Sequence, residues 1–186
     1  EVSSKGELGY NGFADLHGEN GKNGTLLLDP DSLYIGNYTD HFYAGDHFVS
    51  TSPIAASLNS GTDVTATALN NISVLANIIW SGSGSLTLNA GQNIQVGSDI
   101  KATFDGANTQ GAVTLNAGNN VFVNAGISTK RGDITVNGVD MSMSGGTLKS
   151  ALGNVVINNS GKFASSGADV LSGRSVTLHQ NSYGSI

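Results

Sequence analysis

The chain has no cysteine. That excludes a disulfide scaffold and any cysteine-ligated zinc site. Proline occurs twice and tryptophan once. Charged residues make up 12%, against about 25% in ordinary soluble domains. Lys and Arg total eight, scattered among 14 Asp and Glu, for a net charge of −6. No basic stripe is visible, so nucleic acid is not an expected partner. No apolar run is long enough for a transmembrane helix, so the chain is not expected to span a membrane. No window carries ten or more residues at helical period. What is abundant is glycine, at 26 residues, together with Asn, Ser and Thr. An uncharged surface of this kind suits stacked strands, where a charge repeated in register would repel itself.

Those residues are arranged in a repeat. Gly84-Ser85-Leu86-Thr87-Leu88-Asn89-Ala90-Gly91 returns as Gly111-Ala112-Val113-Thr114-Leu115-Asn116-Ala117-Gly118. It returns again as Gly132-Asp133-Ile134-Thr135-Val136-Asn137 and Gly153-Asn154-Val155-Val156-Ile157-Asn158, with a worn copy at Ser175-Val176-Thr177-Leu178-His179. Ile134 follows Val113 by 21 residues, and Val155 and Val176 follow at the same interval. Val113 follows Leu86 by 27, with the excess in the polar stretch Phe104 to Gln110. A fixed period of this length is the signature of a solenoid.

Apolar-Thr-apolar alternation places the apolar pair of each copy inward and the Thr outward. A single such strand cannot bury its apolar face, but stacked copies make parallel sheets with apolar columns inside. Asn89, Asn116, Asn137 and Asn158 form a further column, ending in His179. Asn tolerates turn geometry and its amide can bond to a copy above and below, so an Asn ladder is expected at a corner. A second strand follows in each copy (Ile94/Val96, Val121/Val123, Met141/Met143), then a third apolar point (Ile100, Ile127, Leu148). The expected fold is all-β, a right-handed parallel β-helix with turns of about 21 residues. Its hand rests on the general bias of parallel crossovers.

The earlier part of the chain is less regular. Residues 1–23 read as irregular first turns. Residues 24–83 read as turns interrupted by a loop excursion or short helix near 36–60, and 84–186 as regular repeats, all in one β-helix segment. Gly24-Thr25-Leu26-Leu27-Leu28-Asp29 matches the repeat, with Asp29 in the Asn position. Ser52 to Asn59 could form a helix capped by Ser52, with Pro53 at its first position. Ile72-Ser73-Val74 and Ile78-Ile79-Trp80 complete the turn begun at Gly61. The polar start Glu1 to Gly6 carries no signal peptide, so a fragment of a longer precursor is expected.

Three segments resemble the filamentous-haemagglutinin-like large exoproteins of bacterial two-partner secretion: Gly24 to Pro30, Leu58 to Thr65, and Ile78 to Trp80 continuing through Ser85 to Ile94. The resemblance covers about residues 24–127, and the remainder matches as generic repeats. It implies a passenger secreted through an outer-membrane transporter partner, found at the bacterial cell surface or released. Such a passenger acts as an adhesin against a host cell-surface protein or glycan, as a haemolysin, or as carrier of a toxin. Neither Pro30 nor Pro53 follows Asn, so the Asn-Pro motifs of that family's secretion domain are missing and a shaft segment is implied.

Candidate sites stand beside plainer readings. Arg131-Gly132-Asp133 spells the integrin-binding tripeptide, yet Gly132 is also the glycine that opens a repeat. Tyr38, Phe42, Tyr43 and Phe48 could stack on a glycan or protein partner, or face inward. His41, Asp46 and His47, with Asp40, carry metal-ligand chemistry without supporting spacing, so no metal is expected. A Gly-Gly-x-Gly-x-Asp calcium repeat is absent. Asp29, Asp31, Asp40 and Asp46 are the densest acidic group, as a polysaccharide-acting β-helix enzyme would need. Asp29 and Asp31 have structural uses, however, and no Lys or Arg lies beside them. The expectation is a non-enzymatic β-helical shaft with no cofactor. A toxin or haemolysin carrier, or a polysaccharide-acting enzyme, is the alternative.

Overall fold

A computed structural model describes residues 2–3, 9–10, 12–18, 24–37, 47–106 and 110–180. The alternating segments pair as parallel strands in three sheets, and the chain is a right-handed parallel β-helix. One complete turn runs Leu86–Ala90, Ile94–Val96 and Ile100–Ala102, a strand in each sheet. Among the described residues the three sheets hold eight, eight and five strands. Eight strands about 4.8 Å apart make a stack roughly 34 Å long.

The register is the one the repeat demands. Leu86 pairs with Val113, Val113 with Ile134, Ile134 with Val155 and Val155 with Val176. Each inward apolar residue therefore sits on its counterpart one turn away. The core is an unbroken set of columns from Leu26 to Ile157. The second sheet aligns Ile72, Ile94, Val121 and Met141, and the third aligns Ile78, Ile100, Ile127 and Leu148. The last turn is barer: Val176 and Leu178 are about half exposed, at 50% and 46%.

One inward column of the third sheet runs Trp80, Ala102, Thr129, Ser150, Ser172. Its polar members bond to the corner loops between the third and first sheets, Trp80 and Thr129 to the loop that follows them and Ser150 and Ser172 to the loop that precedes their own turn. Trp80 Nε1 donates to Gly84 O at 2.8 Å. Thr129 and Ser150 hydroxyls both donate to Gly132 O, and the Ser172 hydroxyl donates to Gly153 O. Buried hydroxyls are thus satisfied by the backbone they face.

The Asn ladder differs from expectation in its place. It stands on the outer face of the first sheet, within the strand and one residue before its end, rather than at a corner. The alternation continues through Asn to the following Ala, so the strand does not stop at the amide. Asn116 Nδ2 donates to Asn89 Oδ1 at 2.7 Å, Asn137 to Asn116 at 2.6 Å and Asn158 to Asn137 at 2.7 Å. Asn89 Nδ2 donates in turn to Thr67 Oγ1 at 3.2 Å.

The corners are held by other residues. Asn71 Oδ1 accepts from Asn93 N–H, and Asn93 Oδ1 accepts from Asn120 N–H. Asn77 serves Asp99, and Asp99 serves Gly126. Each short polar side chain satisfies a backbone donor one turn further on.

The excursion within 36–60 is partly regular. Phe48–Ser50 is a strand of the second sheet. It pairs with Leu33–Gly36 on the side opposite Ile72–Val74, and Gly9–Tyr10 pairs beyond it. The expected helix spans Thr51–Asn59, but its N-cap is Ser50, with no side-chain cap bond, and Pro53 is the third helical residue. Ile54 and Leu58, which lie one helical turn apart, are fully buried. The helix packs against Ile78–Trp80, the first strand of the third sheet, where a further strand would otherwise pair.

The segment 12–18 crosses the end of this helix. Ala14 N–H donates to Ser57 Oγ at 3.0 Å, and Leu16 N–H donates to Thr62 Oγ1 at 2.7 Å.

Candidate functional surfaces

Arg131-Gly132-Asp133 occupies the corner between the third and first sheets. Gly132 is buried, and a Cβ there would collide with the backbone of Gly111 and Ala112. Close stacking of corner on corner therefore requires glycine at this position. Asp133 Oδ1 accepts from Asn154 N–H at 2.7 Å and from its side-chain amide at 3.1 Å. Arg131 Nε donates to Asp105 Oδ1 at 3.1 Å. All three residues are engaged by neighbouring turns, so the tripeptide has a structural use at each position.

Of the aromatic group, Tyr38, Phe42 and Tyr43 lie outside the described residues, as do Asp40, His41 and Asp46. Phe48 is half-buried at the start of its strand, and His47 is buried, 5% exposed. The backbone carbonyl of His47 accepts from Tyr34 N–H at 2.8 Å. Phe48 belongs to the second sheet rather than to a loop, because pairing with Leu33–Gly36 draws the chain back onto the stack, and His47 lies just before that strand. Among the described residues, no group of three His, Asp or Glu side chains is placed to hold a metal ion. No described helix is long and apolar enough to cross a membrane.

A concave feature follows the amide ladder. An open groove of about 520 Å³ runs past Thr67, Asn89, Asn116 and Asn137, with Leu69, Gly91 and Gly118 on its other side. An Asn amide has two N–H donors and two acceptor lone pairs. The internal ladder bonds use one of each on Asn89, Asn116 and Asn137. Each amide therefore keeps one donor and one acceptor, repeated about every 4.8 Å. Such a row can hydrogen-bond a hydroxyl-rich ligand along the stack. The repeat already spelled this row out, but only pairing showed that it faces out beside a groove. Comparison of the chain with protein-family models, with curated proteins and with solved structures finds no match.

Proposed function

We propose that this chain is a shaft segment of a secreted, surface-associated bacterial adhesin, secreted with the help of an outer-membrane transporter partner. The observation that carries the reading is the unbroken register of stacked turns, reinforced by ladders on the outside as well as apolar columns within. In such a stack the backbone bonds run along the long axis, so bending or stretching it requires many bonds to yield together. A stiff rod of this kind projects a binding tip from a cell, or contacts surfaces along its length. The unused donors and acceptors of the amide ladder support the second role, since they repeat along the rod without selecting one position. Secretion and surface location come from the resemblance of residues 24–127 to two-partner exoproteins.

Binding of the purified protein to epithelial cells is the test, with Asn89, Asn116 and Asn137 changed together to Ala as comparison. Saturable binding weakened by the substitutions is expected. No binding above that of a heat-unfolded control would overturn an adhesive role for this segment.

A further inference from the structure

Three of the eight cationic side chains meet on the outer face of the third sheet, although they are far apart in sequence. In-register pairing places Lys101, Ser128 and Lys149 in one outward column. Lys130 lies in the neighbouring column, because its N–H donates to Ala102 O while Thr103 and Ala151 make the same bond on the turns before and after. The lysines therefore occupy three successive turns and alternate between two columns. Turns about 4.8 Å apart, and columns two residues or about 6.6 Å apart, put consecutive lysine stems about 8 Å from each other. The zigzag separates like charges that a straight column would crowd.

Small side chains fill the intervening positions. Thr103, Ser128 and Ala151 form the floor of a basin of about 280 Å³ walled by the three lysines. No carboxylate lines it. Lys130 has one long, exposed ion pair, 3.9 Å from Asp105 Oδ2. Among the described residues, Lys101 and Lys149 have none. A chain of net charge −6 has thus gathered positive charge at one concave place. The plain alternative is that lysines merely keep an exposed sheet face wet. That does not explain a shared basin with a small-residue floor.

We propose that this basin binds an acidic polysaccharide lying along the stack axis. The ammonium groups would meet carboxylate or sulfate groups, and the Thr103 and Ser128 hydroxyls would meet sugar hydroxyls. Charge complementarity selects a polyanion. No aromatic side chain lines the basin to stack a base, which favours a glycan over single-stranded nucleic acid. The proposal deepens the adhesive reading and rests on it for its biological setting, but the binding is measurable apart from it.

The test is a biosensor titration of the whole chain at physiological ionic strength against polygalacturonate, sulfated dextran, neutral dextran and single-stranded DNA. A triple variant, Lys101→Ala with Lys130→Ala and Lys149→Ala, is compared with a control, Lys162→Ala with Arg174→Ala, after circular dichroism has matched all three proteins. The expected result is binding to one or both acidic glycans and none to neutral dextran. The triple variant should lose about tenfold or more in affinity while the control stays near wild type. The two acidic polymers tell carboxylate from sulfate. Equal binding by the triple variant, equal or tighter binding of DNA, or no glycan binding would overturn the assignment. Cell binding by a protein that binds neither acidic glycan would sink this site and leave the adhesive reading standing. Glycan binding without cell binding would do the reverse.

Discussion

Single residues decide how closely one turn lies on the next. Gly132 has no room for a side-chain carbon over the Gly111 corner. Gly132→Ala should therefore cost about 3 kcal/mol or more, since the obstacle is backbone that cannot turn aside. Urea unfolding would measure it, and a loss under about 1 kcal/mol would mean that the corner has slack. The amide ladder makes a graded prediction. Asn116 takes part in two ladder bonds and Asn158 donates one. At about 0.5–1.5 kcal/mol per bond, Asn116→Ala should cost about 1–3 kcal/mol and Asn158→Ala roughly half as much. Equal losses would show that the ladder does not act bond by bond. The glycines and ladder asparagines were legible as repeated letters. The Asn and Asp residues that hold the corners were not, because their bonds go to backbone one turn away and follow no fixed letter.

Among the elements, the helix Thr51–Asn59 and the strand Phe48–Ser50 depart most from the repeat. The helix lies against Ile78–Trp80 and occupies the side of the third sheet where another strand would pair. An uncovered strand presents unpaired N–H and C=O groups and invites association. Leu58 is fully buried at this junction, and Leu58→Ala should cost about 2–5 kcal/mol. Ser57 joins the helix to the segment that crosses it, accepting from Ala14 N–H and donating to Pro53 O. With Ser57→Ala, amide exchange at Ala14 should quicken while exchange in Leu86–Ala90 stays as it was. Exchange unchanged at Ala14 would mean that this bond does not hold the segment. Ser52 and Pro53 located the helix in advance. The cap was misplaced by two residues: the helix begins at Thr51, which like Pro53 is buried, and Ser50 caps it without a side-chain bond.

For the whole molecule, stability is a sum over neighbouring turns. The register predicts which cut it tolerates. Ile134 pairs with Val155, so deleting residues 134–154 removes one strand from each sheet and brings Val155 onto Val113. The shortened protein should fold, with the β signal in circular dichroism retained and a measurably smaller radius in X-ray scattering. Deleting about half that length, residues 134–143, should abolish cooperative unfolding, because every later side chain would lose its column. If both deletions fold equally well, register is not what specifies the stack.

The fold class, the period, the inward columns and the members of the amide ladder were all legible in the chain before any folding. They follow from side-chain alternation and from repetition, which are local properties. What lies side by side across turns was settled only by the folded stack. It set the ladder on an outer face beside a groove, drew Phe48 into the second sheet and buried His47 just before it. It engaged Arg131, Gly132 and Asp133 with their neighbours, and it gathered Lys101, Lys130 and Lys149 into one basin. The physical reason is that a solenoid brings residues 21 apart into contact, so surface chemistry depends on register, corner length and insertions added over several turns.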